Sequence, residues 1–397
     1  MPLMRGRSSS RDGAAAVNRR ICYDYQHCYC YNYQYQLAVA SRPCHPVPSC
    51  LLLVCPMRSA PGVNASALPT PGWHGYSVKW SPFDPDFAIC AASQNYGIQG
   101  QGALLVLRRP AGGNGPLSIN HVMNYSDALF DLSFSESDPR VVCAAAADGH
   151  IVMFNSEHGA VLGSVKGHAK EVYSVEWNPT RTEHLIVSAS WDGKVNLTDP
   201  QKLAVVRSFQ AHRQLVYSAA WAPRSPGMLC SCSADGSVAL WDIRNPDSQR
   251  PALVFRVSTT EVLNADWSKY DCNMLATGSI DSSVSLWDIR QPAGCRQKFF
   301  HKMAVRKETC KALIFLQVRF SPFFPHVLAS VSYDFTTQIY NLAANRTELC
   351  LMNHSEFAYG LDWNSHRMGE IVDCGWDQLI VVSMMPDKVL HTLPGAI

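Results

Sequence analysis

Six aspartates recur along the chain at nearly fixed intervals. Asp148, Asp192, Asp235, Asp281, Asp334 and Asp377 are 44, 43, 46, 53 and 43 residues apart. Each follows a short apolar run and opens a tight turn, as in LIVSASWDGKVNLTD, where the run from Leu185 to Ser190 turns at Asp192-Gly193 into the next strand. Gly167 to Asp199 holds three such strands, the first of them alternating, with Tyr173, Val175 and Trp177 on one face. Short strands separated by turn residues predict an antiparallel sheet. One sheet of this size cannot bury both its faces, so its copies must stack on one another.

The period and the turn chemistry are those of WD repeats, in which each copy is a four-stranded propeller blade. Six residues beyond the aspartates lie Phe154, Thr198, Trp241, Trp287, Tyr340 and Ser383, and two copies carry the full pair, Trp241-Asp242 and Trp287-Asp288. The spacing of 53 is resolved by a second ruler. His168 precedes Asp192 by 24 residues, and His212 and His354 precede Asp235 and Asp377 by 23, but His301 precedes Asp334 by 33. Both rulers run long at the same place, which predicts an insertion before Val318, assigned to Glu308 to Gln317. The first copy begins at Pro71, and its turn is the Gly-rich NYGIQGQG. Neither a helical pattern nor Gly-Lys-Ser/Thr follows, so this is a wide hairpin and not a phosphate loop. The expected fold is all-β: a seven-bladed WD-repeat β-propeller over residues 67–390 with a disordered N-terminal extension. A strand before Gly72, or the end of the first blade, would close the ring and remove its free edge.

Residues 1–66 share nothing with the repeats. An Arg- and Ser-rich start leads into YDYQHCYCYNYQYQ and a Pro-rich stretch, a composition without apolar period that predicts disorder. The alternative readings are an organelle transit peptide, a metal cluster of His27, Cys28, Cys30, Cys44 and His45 whose spacing fits no zinc pattern, and a natural start at Met57. This segment holds seven Arg and two Asp, so the overall charge of +2 hides a mildly acidic propeller. Binding to nucleic acid needs a basic stripe, so no nucleic-acid partner is expected, and a cationic partner suits the charge better. Six of the fifteen Cys fall within the first 55 residues and the other nine are scattered without paired spacing, which favours a reducing compartment over a disulfide scaffold. The Asn-x-Ser/Thr triplets then read as chance. No run approaches the ~18 apolar residues of a membrane span.

His168, a strand serine such as Ser188 or Ser190, and Asp192 resemble a catalytic triad in composition. The set recurs in several copies, whereas a triad is needed once, so a buried hydrogen-bonded chain is the expectation. With no other catalytic or cofactor motif, neither an enzyme nor a cofactor is expected.

A ligand would then bind a face of the ring. Where each inner strand starts come Tyr76, Phe130, Tyr173, Tyr217, Leu263 and Tyr359. Two positions earlier lie Ala128, Glu171, Leu215, Glu261 and Phe357, beside Asp127 and Glu356, and before the turn aspartates come Trp191, Tyr333 and Trp376. Aromatic anchors in an acidic rim suit a basic peptide.

The stretches HGYSVKWSPF, QNYGIQGQGALLVL, DALFDLSFSE, HAKEVYSVEWN, RFSPFFPHVLASVSYDFT and HSEFAYGLDW, followed by DCGWDQ, resemble the peroxisomal import receptors for type 2 (N-terminal) targeting signals. The resemblance runs from Pro71 to Ile380. It implies a non-enzymatic receptor of the cytosol and peroxisome. Such a receptor takes cargo bearing the pattern Arg/Lys, aliphatic, five residues, His/Gln, Leu/Ala, and works with a co-receptor, the long form of the type 1 signal receptor or an equivalent, and with docking proteins. On that reading Asp127, Glu171, Glu261 and Glu356 face the cationic positions of the signal, and Tyr173, Trp191, Tyr217, Phe357 and Trp376 are packing anchors. The first 56 residues and Glu308 to Gln317 depart from the family pattern, as does Ser383-Met384 in place of the last Trp-Asp pair. A generic propeller scaffold, such as a ubiquitin-ligase adaptor or histone-binding module, is the alternative, and a propeller hydrolase has least support.

Overall fold

The computed structural model describes residues 62–393 apart from 111, 112, 114, 182, 246–248 and 302–315. The expectations for residues 1–61, disorder and a start at Met57 among them, lie outside the described residues. The described strands form seven four-stranded antiparallel sheets, the blades of a closed propeller. Their inner strands are His74–Trp80, Leu129–Phe134, Val172–Trp177, Val216–Trp221, Val262–Trp267, Leu316–Phe320 and Ala358–Trp363. Each packs against the next, and the seventh packs against the first.

Second strands such as Phe87–Ser93, Ile186–Ser190 and Val327–Ser332 are buried at every residue because both faces are covered by neighbouring blades. That is why they read as continuous apolar runs and not as alternation. Between blades 1 and 2, Phe87, Ile89 and Leu104 meet Leu132, Val142 and Phe154 in one such apolar layer. Outer strands alternate instead, as Ala204–Gln210 does at the solvent edge of blade 3.

The seventh blade has three strands from the C-terminal end of the chain, Ala358–Trp363, Glu370–Gly375 and Leu379–Met384; its outer strand is Asn64–Pro69. Asn64 stands opposite Met384 and Pro69 opposite Leu379. The segment before Gly72 therefore closes the ring and covers an edge that would otherwise be left unpaired. This strand takes in Asn64, Ala65 and Ser66, so the propeller starts earlier than the 67–390 boundary drawn from sequence.

Most of the stretch assigned as an insertion, Glu308 to Gln317, lies outside the described residues. Its last two residues do not. Leu316 and Gln317 begin the inner strand of blade 6, and Gln317 Oε1 accepts a hydrogen bond of 2.6 Å from the Leu361 N–H of blade 7. The strand thus starts two residues before Val318, and Gln317 fills the position that Asp131, Ser174 and Asn264 use in blades 2, 3 and 5 to reach the next blade.

The recurring polar set is structural. In blade 4, Trp241 Nε1 donates to Ser231 Oγ (3.0 Å), which lies 2.9 Å from His212 Nε2, and His212 Nδ1 lies 3.1 Å from Asp235. Blade 3 repeats the chain with His168, Asp192 and Ser188, and blade 6 with His301, Asp334, Ser330 and the Tyr340 hydroxyl in place of an indole. Of the two serines offered by the sequence, Ser188 reaches the imidazole, while Ser190 Oγ accepts the Asp192 N–H. Each chain ties the turn between strands two and three to the loop entering the blade. The Gly after the Asp has a left-handed φ, +83° at Gly193 and +79° at Gly236, and a Cβ at Gly236 would stand 2.5 Å from the Ser258 carbonyl oxygen.

Side chains of the inner strands lash the blades together. Asp131 accepts the Val175 N–H (3.1 Å), Ser174 the Ala219 N–H (3.0 Å), Asn264 the Val318 N–H (3.2 Å) and Asp362 the Trp80 N–H (3.0 Å). Inner-strand N–H groups that lack a sheet partner are satisfied in this way.

Candidate ligand-binding rim

The loops entering the blades and the turns between second and third strands lie at one end of the ring, held to each other by the His–Asp contacts. At that end the inner-strand aromatics form a continuous layer. Trp191 stacks on Tyr173 (centroids 5.4 Å apart, 23°), which meets Tyr217 at 5.7 Å and Phe130 at 5.3 Å. Phe130 contacts Tyr76 at 5.1 Å; Tyr76 contacts Tyr359 at 4.8 Å and Trp376 at 5.8 Å; Phe357 meets Trp376 at 5.4 Å and stacks on Tyr333 at 3.8 Å. Edge-to-face and stacked pairs at these distances reinforce one another.

The five predicted anchors fall into two groups that touch only through other rings. Tyr173, Trp191 and Tyr217 sit over blades 3 and 4, whereas Phe357 and Trp376 sit over blade 7. Tyr76, Phe130, Tyr333 and Tyr359, which are not among these anchors, are buried, and Tyr76 and Phe130 provide the bridge. Tyr217 is also buried, so it supports the surface from beneath more than it lines it. Tyr173, Trp191, Phe357 and Trp376 are half-buried.

Sequence reasoning missed Tyr96. The Gly-rich segment is a hairpin as expected, with Ser93 opposite Gly102, but its tip folds inward. Asn95, Tyr96 and Gly97 form a 3-10 turn with φ of 45°, 56° and 68°, a left-handed run that is unusual for the first two. Three contacts hold it: the Tyr76 hydroxyl donates to the Tyr96 carbonyl (2.6 Å), the Tyr96 ring stacks on His74 at 3.9 Å, and it meets Trp376 edge-on at 5.3 Å. The only hint in the sequence is a tyrosine between turn-forming Asn and Gly.

All four predicted carboxylates lie half-buried at this rim, and among the described residues none is in an ion pair. Their surroundings differ. Tyr217 donates its hydroxyl to Glu261 (2.5 Å), and Asp127 accepts the Ala128 N–H (2.8 Å). Burial raises Asp127 above the usual carboxylate range and Asp148 adds to the shift, while the Ala128 N–H opposes it. Glu356 is raised by burial and then by the charge of Asp377. A desolvated carboxylate without a counter-ion is a receptor for a cation.

Below the aromatic layer the channel wall carries Lys79, Glu176, Asp266, Arg319 and Asp362. Burial pushes Glu176 up to about 7, against the charge of Arg319 and the Trp221 N–H that it accepts at 2.6 Å. Burial lowers Lys79, and Arg319 lowers it further. Among the described residues no group of His, Cys, Asp and Glu is arranged to hold a metal ion.

Comparison with known proteins agrees with this architecture. The WD domain, G-beta repeat family matches residues 159–199, 203–242 and 250–288. The peroxisomal targeting signal 2 receptor of Mus musculus is 36% identical over 333 residues, covering 83% of this chain and 99% of that protein. The receptor of the same name from Schizosaccharomyces pombe is 25% identical over 318 residues, 80% of this chain and 98% of its own length. Peroxisome biogenesis protein 7 of Arabidopsis thaliana is 36% identical over 121 residues, 29% of this chain and 37% of that one. A seven-bladed ring and full-length similarity to the mouse protein together place this chain in the WD-repeat family of peroxisomal targeting signal 2 receptors.

Proposed function

We propose that the chain is an import receptor that binds cargo proteins through an N-terminal type 2 targeting signal at this rim. One observation carries the reading: a continuous aromatic layer and four half-buried carboxylates, none of them in an ion pair among the described residues, lie at one end of the propeller. The signal pattern puts its basic residue and its His or Gln seven positions apart, which on a helix is about 10.5 Å along the axis and nearly the same side. An amphipathic helix can therefore lay its polar side on the acidic rim and leave its apolar side for a co-receptor to cover. The long form of the type 1 signal receptor, or an equivalent, would be that co-receptor. Docking proteins at the peroxisome would receive the complex, and the receptor would move between cytosol and peroxisome.

The test is a retention assay on immobilised signal peptide. A peptide with the leading Arg should hold the protein, and the same peptide with Asp there should not. Equal retention by both would favour a generic propeller scaffold.

A further inference from the structure

The N-terminal stretch of the sequence holds a motif that the propeller does not absorb. Arg20 and Ile21 are followed by the five residues CYDYQ and then by His27 and Cys28. This is the order of basic residue, aliphatic residue, five residues and His that the signal pattern has, with Cys28 where Leu or Ala would stand. Arg20 and His27 are seven positions apart, so on a helix they share nearly one side, about 10.5 Å apart along the axis. Cys is a small apolar residue and fills the last position less fully than Leu. Lys194, Val195 and Gln201 fit the same spacing, but Lys194–Asp199 is a strand of blade 3 with Val195 fully buried, so that match is locked into the fold.

We infer that residues 20–28 are themselves a ligand of the type 2 class, which the acidic rim takes in competition with cargo. The inference rests on the rim being the cargo-peptide site. Charge complementarity favours this occupant. Five of the first 20 residues are Arg against one Asp, whereas Asp127, Glu171, Glu261 and Glu356 lie half-buried at the rim, in no ion pair among the described residues. The motif is also clear of the strand that seals the ring: 33 residues separate Cys28 from Gly62, so presenting it breaks none of the pairing between Asn64–Pro69 and Leu379–Met384. A receptor whose rim is filled part of the time binds cargo with an affinity reduced to the open fraction. With Cys28 in the last position the motif is the weaker ligand, and cargo displaces it.

Competition under reducing conditions tests this. A labelled Arg-Leu-x5-His-Leu peptide is titrated with the full chain by fluorescence anisotropy, and a synthetic peptide of residues 18–30 is added as competitor, with and without Arg20→Asp. The unaltered competitor should displace the label, and the Arg20→Asp competitor should not. In the full chain, Arg20→Asp should tighten binding of the labelled peptide by about three- to tenfold, whereas Arg42→Asp, the same charge change outside the motif, should leave it unchanged. Equal displacement by both competitors, displacement by neither, or equal affinities of the Arg20→Asp and Arg42→Asp chains would overturn the inference while leaving the rim reading intact. Failure of the unaltered and the Arg20→Asp chains alike to bind the labelled peptide would overturn both.

Discussion

The Arg109 guanidinium of blade 1 meets the Glu370 carboxylate of blade 7 through two hydrogen bonds, 2.5 and 3.2 Å, with both side chains 5% exposed. Asp86 stands 3.5 Å from Arg109 and 2.5 Å from Arg367, Asn364 Nδ2 donates to Glu370 at 2.7 Å, and the guanidinium lies over the Trp80 ring at 5.1 Å. The seam where the ring closes is thus held by this cluster and by the strand Asn64–Pro69. Removing one partner of a buried pair leaves the other charge desolvated, which costs about 3–5 kcal/mol. Glu370→Ala should lower the thermal midpoint clearly, whereas Asp138→Ala, in the exposed pair with Arg140, should barely move it.

Blade 7 carries a charged version of the repeated polar chain. His354 Nδ1 lies 2.9 Å from Asp377, and its Nε2 forms an ion pair of 3.3 Å with Asp373, which takes the place of the serine in blades 3, 4 and 6. Burial works against the imidazolium, but Asp373 and then Asp377 outweigh it and push the pKa up to about 10. A folded-state pKa above the unfolded 6.5 means that this stabilisation is complete below pH 6.5 and is lost as pH rises through about 10. Asp373→Ser should flatten the decline in thermal midpoint over that range; an unchanged decline would show that His354 is neutral in the fold.

Glu176 titrates in another window. Its folded pKa of about 7 exceeds the ordinary glutamate value of 4.5, so the folded protein binds the proton more tightly than the unfolded chain. Stability attached to this group therefore falls as pH rises from 4.5 to about 7 and is level above that. Glu176→Gln should remove that fall while its amide oxygen keeps the hydrogen bond from the Trp221 N–H. Thermal melts across the interval check this, and the separate windows distinguish it from the His354 effect.

At the rim, Glu171→Lys replaces an attractive charge by a repulsive one without disturbing a hydrogen bond of the fold. Binding of signal-bearing cargo should weaken about tenfold or more, with the melting profile unchanged. Normal peroxisomal import of such cargo by the variant would remove Glu171 from the contact set.

Much of the fold was legible because blade chemistry is local. The Asp turn and the buried apolar run before it are set within one copy, so Asp148, Asp192, Asp235, Asp281, Asp334 and Asp377, with the first copy at Pro71, counted the blades, and a His 23 or 24 residues earlier fixed the register at Asp192, Asp235 and Asp377. The rim residues were legible as positions in that repeat. Their groupings were not. The repeat gives no sign that Tyr217 points under the surface to Glu261, that Phe130 and Tyr76 join the two halves of the aromatic layer, or that Gln317 belongs to a strand. Tyr96 was hidden because its place depends on a left-handed turn held by side chains from other strands.

The sequence by itself determined the all-β class, the seven-fold count and the polar chain inside several of the blades, since those follow from turn chemistry and strand period within a single copy. Only the tertiary structure decided which blade Asn64–Pro69 completes, which charges meet across the seam of Arg109 and Glu370, and which carboxylates lack a counter-ion among the described residues. Those are relations between residues brought together by closing the ring, and closure acts over distances along the chain that no local pattern encodes.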